Sequence, residues 1–183
     1  KESQRFYPND SLAASVIGYV DSYDNGLAGV EQKYDDLLSG KAGEIAFDRD
    51  AAGRPYSRSE TPAINGAQVV LTIDAVLQHR VEVLLDEAVR MTRAKGAGAI
   101  VMDPKTGEIL AMVSYPTYEN NRFARFIPAY YYEQLSQDPR HPLLNNAISA
   151  EFPPGSVFKL STATGAINEH VVELSTIIDA PGQ

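Results

Sequence analysis

Residues 97–116, AGAIVMDPKTGEILAMVSYP, place two apolar segments of about seven residues on either side of a turn. Asp103, Pro104, Lys105, Thr106 and Gly107 make that turn, with Pro at its second position, where a fixed φ helps, and Gly near its end, where a positive φ is needed. Both segments are apolar almost throughout. This predicts an antiparallel hairpin covered on both faces, with a helix on one side. Just ahead of it, Leu77, Val81, Leu84, Leu85, Ala88 and Val89 recur at helical spacing after Asp74, a good N-cap, and the pattern ends by Gly96. VVLTI, 69–73, reads as a strand entering that helix.

Further toward the N-terminus, Arg5, Tyr7 and Pro8 open an extended segment that turns at Asn9 and Asp10. Asp10 or Ser11 is then the expected N-cap of a short helix carrying Leu12, Val16 and Tyr19, ended or bent by Gly18. Val30, Tyr34, Leu37 and Leu38 predict a second helix from about Ala28 to Leu38, stopped at Gly40. Residues 44–58, EIAFDRDAAGRPYSR, alternate around Ala51 to Gly53 and predict a hairpin. SETPAINGAQ, 59–68, is rich in Pro, Gly, Asn and small polar residues and reads as a connection or boundary.

After the central hairpin, residues 117–146 hold Phe123, Phe126, Tyr130, Tyr131 and Tyr132 among Pro128, Pro139 and Pro142, the pattern of a long irregular surface crossing. The run AEFPPGSVFKLSTATGAIN, 150–168, follows. Pro153 and Pro154 can precede or open a helix but not continue one, so a helix begins near Ser156 and runs through Leu160, Ala163, Ala166 and Ile167. Ser156 and Lys159 then share a face. First-turn N–H groups favour a developing oxyanion, and a neutral lysine one turn on can take the serine's proton. Spacing alone is weak support, since Ser-x-x-Lys arises by chance about once in a couple of hundred positions.

Composition narrows the field. The 183 residues carry a net charge of −8, with hydrophobic residues at 44% and charged residues at 22%. That is the profile of an ordered globular chain, and its acidity argues against a nucleic-acid partner. With no cysteine there is no disulfide, thiolate metal site or cysteine nucleophile. No apolar run is long enough to cross a bilayer, and KESQRFYPND lacks the character of a signal peptide or a natural start, so the chain reads as a piece of something longer.

Several rival motifs read more simply. GAGAIV, 96–101, lacks a third glycine and leads from helix into strand, the reverse of a phosphate-cradling loop. His79, His141 and His170 have no metal-ligand spacing and read as solvated or structural. Lys105-Thr106-Gly107 is turn chemistry. Tyr130 to Tyr132 suit packing of a long loop better than stacking on a sugar.

Taken together, five segments in order resemble the class B penicillin-binding proteins, the monofunctional D,D-transpeptidases of bacterial wall synthesis. They are RFYPNDSLAASVIGYV (5–20), GLAGVEQKYDDLLSG (26–40), VVLTIDAVLQ (69–78), GAIVMDPKTGEILAMVSYPTYENN (98–121) and NNAISAEFPPGSVFK (145–159). The resemblance implies an α+β fold: a pedestal, or dimerisation-type, module over 1–65, then over 66–183 the N-terminal part of a transpeptidase domain, an antiparallel sheet flanked by helices. Asn9 and Asp10 depart from the glycine many members carry there, a change that a turn absorbs. The family's Ser-x-Asn and downstream Lys-Thr-Gly elements are not present.

The resemblance also implies the chemistry. Ser156 is the nucleophile and supplies an oxyanion N–H, and Lys159 is the general base. A free lysine is protonated at neutral pH and becomes a base only when desolvated beside another cation, which the family's Lys-Thr-Gly strand provides. This piece alone is therefore expected to acylate poorly or not at all. The implied partners are peptidoglycan stem peptides, β-lactams, a membrane glycan polymerase and divisome or elongasome proteins. No nucleic acid and no metal or organic cofactor is implied. The catalytic face is expected outside the cytoplasmic membrane, on a tether absent from this chain. Two other readings share these residues: a non-catalytic pedestal that binds a glycan polymerase, and a serine β-lactamase or β-lactam sensor.

Overall fold

The structure is a computed structural model that describes residues 4–124 and 127–179. The chain forms two compact units, Lys1–Ala150 and Glu151–Gln183.

In the first unit the central hairpin forms as the sequence predicts. Strand β3 (Ala97–Met102) pairs antiparallel with β4 (Ile109–Tyr115), and a hydrogen-bonding turn joins them. The Asp103 carboxylate accepts from the N–H groups of Lys105 (2.7 Å) and Thr106 (3.2 Å), while Gly107 takes the left-handed φ of 79°. Lys105-Thr106-Gly107 is thus turn chemistry, as read. The helix after Asp74 also forms, as Ala75–Thr92; the Asp74 side chain caps the N–H groups of Val76 and Leu77.

Cover on the hairpin's second face is partial among the described residues, where the Asn146–Ser149 helix lies against Gly98. The 75–92 helix packs on β4 and β3, but Ile100 and Met102 remain 44% and 53% exposed. The expected strand over 69–73 does not form. This segment touches β4 at separate points: Thr72 Oγ1 donates to the Ile109 carbonyl (2.6 Å) and the Asp74 N–H to that of Leu110 (2.9 Å). A side chain, not a strand, occupies the next edge position.

Toward the N-terminus the helices are shorter than periodicity suggests. Helix α1 is Ala14–Ile17, capped by left-handed Ala13 (φ 53°) rather than by Asp10 or Ser11. Asp10 itself has φ 50° and accepts from Asn121 Nδ2 at 3.2 Å, so it serves a distant contact. Gly18 ends α1 at φ 81°; a Cβ there would lie 1.8 Å from the Ala28 carbonyl oxygen. The helix expected over 28–38 is two, α2 (Gly29–Lys33) and α3 (Asp35–Leu38), broken at Tyr34. At the break Asp35 turns its carboxylate to the Gly26 N–H, 3.0 Å away.

The 44–58 hairpin forms as β1 (Glu44–Arg49) and β2 (Pro55–Thr61), so strand extends into the stretch read as a connection. Counting the 75–92 helix as α4, the crossing at 117–146 is not irregular. It holds α5 (Asn121–Ala124), α6 (Ala129–Gln137) and the start of α7 (Asn146–Ser149). Its aromatic residues form core: Tyr118, Phe123 and Leu135 are buried with Ala14, and Tyr19 and Tyr131 pack on them. Tyr19 and Phe123 stack at 3.8 Å. Tyr130 and Tyr132 face solvent, and Phe126 lies outside the described residues.

Arg93, exposed at the end of α4, has φ 55°, a conformation that costs a side-chain-bearing residue about 1 kcal/mol or more. Arg93→Gly is expected to stabilise the protein by about 1 kcal/mol, raising Tm by roughly 2–4 °C in thermal unfolding.

Candidate active site

The second unit carries Ser156 and Lys159, and the local structure there follows from Pro154 and Gly155. Pro154 (φ −67°, ψ −22°) opens a turn that continuing helix cannot precede, and Gly155 takes φ 54°. Gly155–Val157 forms a 3-10 turn leading directly into α8 (Phe158–Asn168). Ser156 therefore sits in the first turn and Lys159 one turn on. Both side chains are exposed, and among the described residues neither takes part in a hydrogen bond. The arrangement brings a hydroxyl, an amine and the N–H of Ser156 to one helix end.

Helix α8 has the composition of a core helix yet buries no residue in its unit. Val157, Phe158 and Leu160 are 71%, 61% and 73% exposed. Its threonines bond inward along the helix, Thr162 to the Phe158 carbonyl and Thr164 to that of Leu160.

In the first unit, residues that sequence reading passed over converge on the main chain of 13–18. The Ala13 N–H donates to Glu82 Oε1 (2.8 Å). The Ala14 carbonyl accepts from the Tyr118 hydroxyl (3.0 Å) and from Asn120 Nδ2, which also donates to the Gly18 carbonyl. Burial pushes the Tyr118 hydroxyl well above the ordinary phenol range, so it stays a neutral donor. Asn121 bonds both backbone groups of Tyr7, at 2.9 and 2.8 Å. The Arg5–Glu31 ion pair (2.9 Å) ties the first segment to α2, with Glu31 buried.

One signal could have found part of this set. Gln78 and Glu82, one turn apart and hydrogen-bonded to each other (2.9 Å), interrupt an apolar helix face, and polar residues on a core-facing stripe need partners. Asn120 and Asn121 had no such signal, because their partners lie more than a hundred residues away. His79, His141 and His170 are exposed on separate segments.

The sequence profile described as the penicillin binding protein transpeptidase domain matches residues 97–183, and that of the penicillin-binding protein dimerisation domain matches residues 1–71. Penicillin-binding protein PbpB of Mycolicibacterium smegmatis is 32% identical over the whole chain. Peptidoglycan D,D-transpeptidase MrdA of Escherichia coli is 32% identical over 98% of it. The chain spans 27% and 31% of the length of these two relatives. Among solved structures, a penicillin-binding protein in complex with MreC from Helicobacter pylori superposes with a TM-score of 0.74 at 29% identity, covering 94% of this chain and 34% of that one.

Gly155→Ala is expected to disfavour the turn before Ser156 by about 1–2 kcal/mol through backbone strain alone, since a Cβ there meets nothing within 4 Å. Amide exchange at Val157, whose N–H bonds the Pro154 carbonyl, should quicken about tenfold or more.

Proposed function

The chain belongs to the class B penicillin-binding proteins, with their dimerisation domain followed by the start of their transpeptidase domain, and we propose that Ser156 and Lys159 are the nucleophile and base of a peptidoglycan D,D-transpeptidase. The observation that carries this reading is the 3-10 turn running into α8, with the serine in the turn and the lysine on the next.

In the proposed reaction Lys159, neutral when covered, accepts the hydroxyl proton as Ser156 Oγ attacks the carbonyl between the terminal D-alanines of a stem peptide. The Ser156 N–H stabilises the oxyanion as one of two donors. Collapse expels D-alanine, whose nitrogen takes the proton back, and leaves a serine ester. The amine of a neighbouring stem attacks that ester and restores the hydroxyl, giving a cross-link. A β-lactam enters by the same attack, but its leaving nitrogen stays tethered to the acyl group.

The reading extends to setting and partners. Catalysis takes place outside the cytoplasmic membrane; among the described residues no helix is long and apolar enough to cross one. The N-terminal module serves as a pedestal and binds an assembly partner. Two observations support this: β1 is exposed along its length, with Ile45 and Phe47 on one face, and the Helicobacter pylori relative was solved with MreC.

A fluorescent penicillin is expected to label the protein at its full natural length on Ser156, and Ser156→Ala to abolish labelling. Lys159→Ala should slow acylation by about 10²–10⁴-fold. An adduct mapped to any other residue overturns the assignment, and rapid turnover of the penicillin would favour a β-lactamase.

A further inference from the structure

The N-terminal module holds a cleft of about 450 Å³, within the span of about 300–1,000 Å³ of small-ligand sites. Its walls are joined by main chain. Lys41 and Ile64 exchange both of their backbone bonds, at 2.8 and 2.9 Å, and the Ala67 N–H donates to the Leu37 carbonyl (2.7 Å). Gly66 lets these segments close on each other, since a Cβ there would lie 1.8 Å from the Leu38 carbonyl oxygen. Main-chain contact thus spares the side chains. Those of Gln4, Ser39, Lys41 and Asn65 line the cleft, and among the described residues none of them makes a hydrogen bond or ion pair.

Tyr23 lines the same cleft and, at 85% exposed, is the most open aromatic ring among the described residues. The turn that carries it is braced. The Asp21 carboxylate accepts from the N–H groups of Tyr23 (2.8 Å) and Asn25 (2.9 Å) and from Asn25 Nδ2 (2.9 Å), and Val20 pairs with Gly26 across the base. A ring on such a turn offers a flat apolar face at little ordering cost on binding.

Charge narrows the choice of ligand. Arg5 is paired with Glu31, and Lys41 shares the cleft with Asp24, so the lining carries no net charge. A phosphate or polyanion would meet the Asp24 carboxylate, and a cation would meet Lys41. What remains is amide, hydroxyl and aromatic surface, with Leu38 and Ile64 as the largest aliphatic members.

We propose that this cleft binds an N-acetylated oligosaccharide. The C–H face of one sugar ring lies on Tyr23, its hydroxyls and acetamido carbonyl bond to Gln4, Lys41 and Asn65, and the acetyl methyl packs on Ile64. Identifying the oligosaccharide with the glycan that bears the stem peptides rests on the transpeptidase reading, whereas the binding itself does not require Ser156.

Binding is measured by isothermal titration calorimetry on the full-length protein with chitotetraose, with maltotetraose, which lacks the acetamido groups, and with tripolyphosphate. Chitotetraose is expected to bind with a Kd on the order of 1 mM or tighter, and about fivefold more tightly than maltotetraose. Tyr23→Ala should weaken binding about tenfold with Tm unchanged, Tyr23→Phe should stay within about twofold because the ring remains, and Asn65→Ala should cost about fivefold. Tyr130→Ala removes an exposed ring elsewhere and should change nothing. The proposal is overturned if chitotetraose does not bind, if Tyr23→Ala is folded and binds as the wild type does, if Tyr130→Ala weakens binding as much, or if maltotetraose or tripolyphosphate binds at least as tightly. Ser156→Ala should bind chitotetraose like the wild type. If chitotetraose binds but a penicillin does not label Ser156, the transpeptidase reading falls, and the cleft stands as an oligosaccharide site.

Discussion

The first unit depends on how the backbone of 13–18 is satisfied. A helix of four residues leaves most of its backbone groups without an internal partner, and Ala13, Ala14 and Gly18 at its ends are buried, so water cannot serve there. Side chains from three distant segments do so: Glu82 from α4, Tyr118 and Asn120 from the stretch after β4, and Asn145 at the cap of α7, whose Nδ2 lies 3.4 Å from the Ser15 carbonyl. An unmet buried carbonyl or amide costs about 1–3 kcal/mol, so losing any one of these donors or acceptors is felt. The N-terminal segment is therefore built into the same packing as the β3–β4 hairpin.

The parts legible in the sequence are those whose determinants are local. The Asp103 to Gly107 turn, the Asp74 cap and the Pro-Gly entry to α8 each depend on residues within a few positions of one another, and each forms as expected. The 117–146 stretch read as loop for the opposite reason. Its helices are short, its apolar residues lack a sustained period, and its fold is fixed by contacts with residues 7 to 19. The same contacts draw Asp10 away from capping and confine α1 to four residues. For the candidate site, the placement of Ser156 in the first turn with Lys159 one turn on was legible from Pro154, Gly155 and helical spacing, whereas the Gln78–Glu82 hydrogen bond reads in sequence only as two polar residues on a helix.

The missing strand at 69–73 and the buried Gln78 are two consequences of one arrangement. Had VVLTI paired with β4, its backbone would have supplied the partners that Met112 needs, and an apolar side chain would suit position 78. Because the segment crosses the edge at Ile109 and Leu110 and turns into α4 at Asp74, the helix itself must close the edge. Gln78 lies one helical turn past the cap, and its side-chain amide accepts from the Met112 N–H (2.8 Å) and donates to the Met112 carbonyl (2.9 Å). The helix start thus determines which residue becomes the edge partner.

The turn that carries Ser156 differs from all of this in what holds it. Helix α8 has 11 residues, below the length at which an isolated helix is stable in water, and among the described residues none of it is buried. Its sequence is apolar on most sides, which favours burial over solvent. The relative geometry of Ser156 and Lys159 within the turn is fixed by Pro154, Gly155 and helical spacing. Lys159 is exposed, whereas the role proposed for it requires desolvation and a second cation. The placement of the two side chains relative to each other is therefore encoded within residues 153–159, whereas the proposed reactivity needs cover that these residues do not supply.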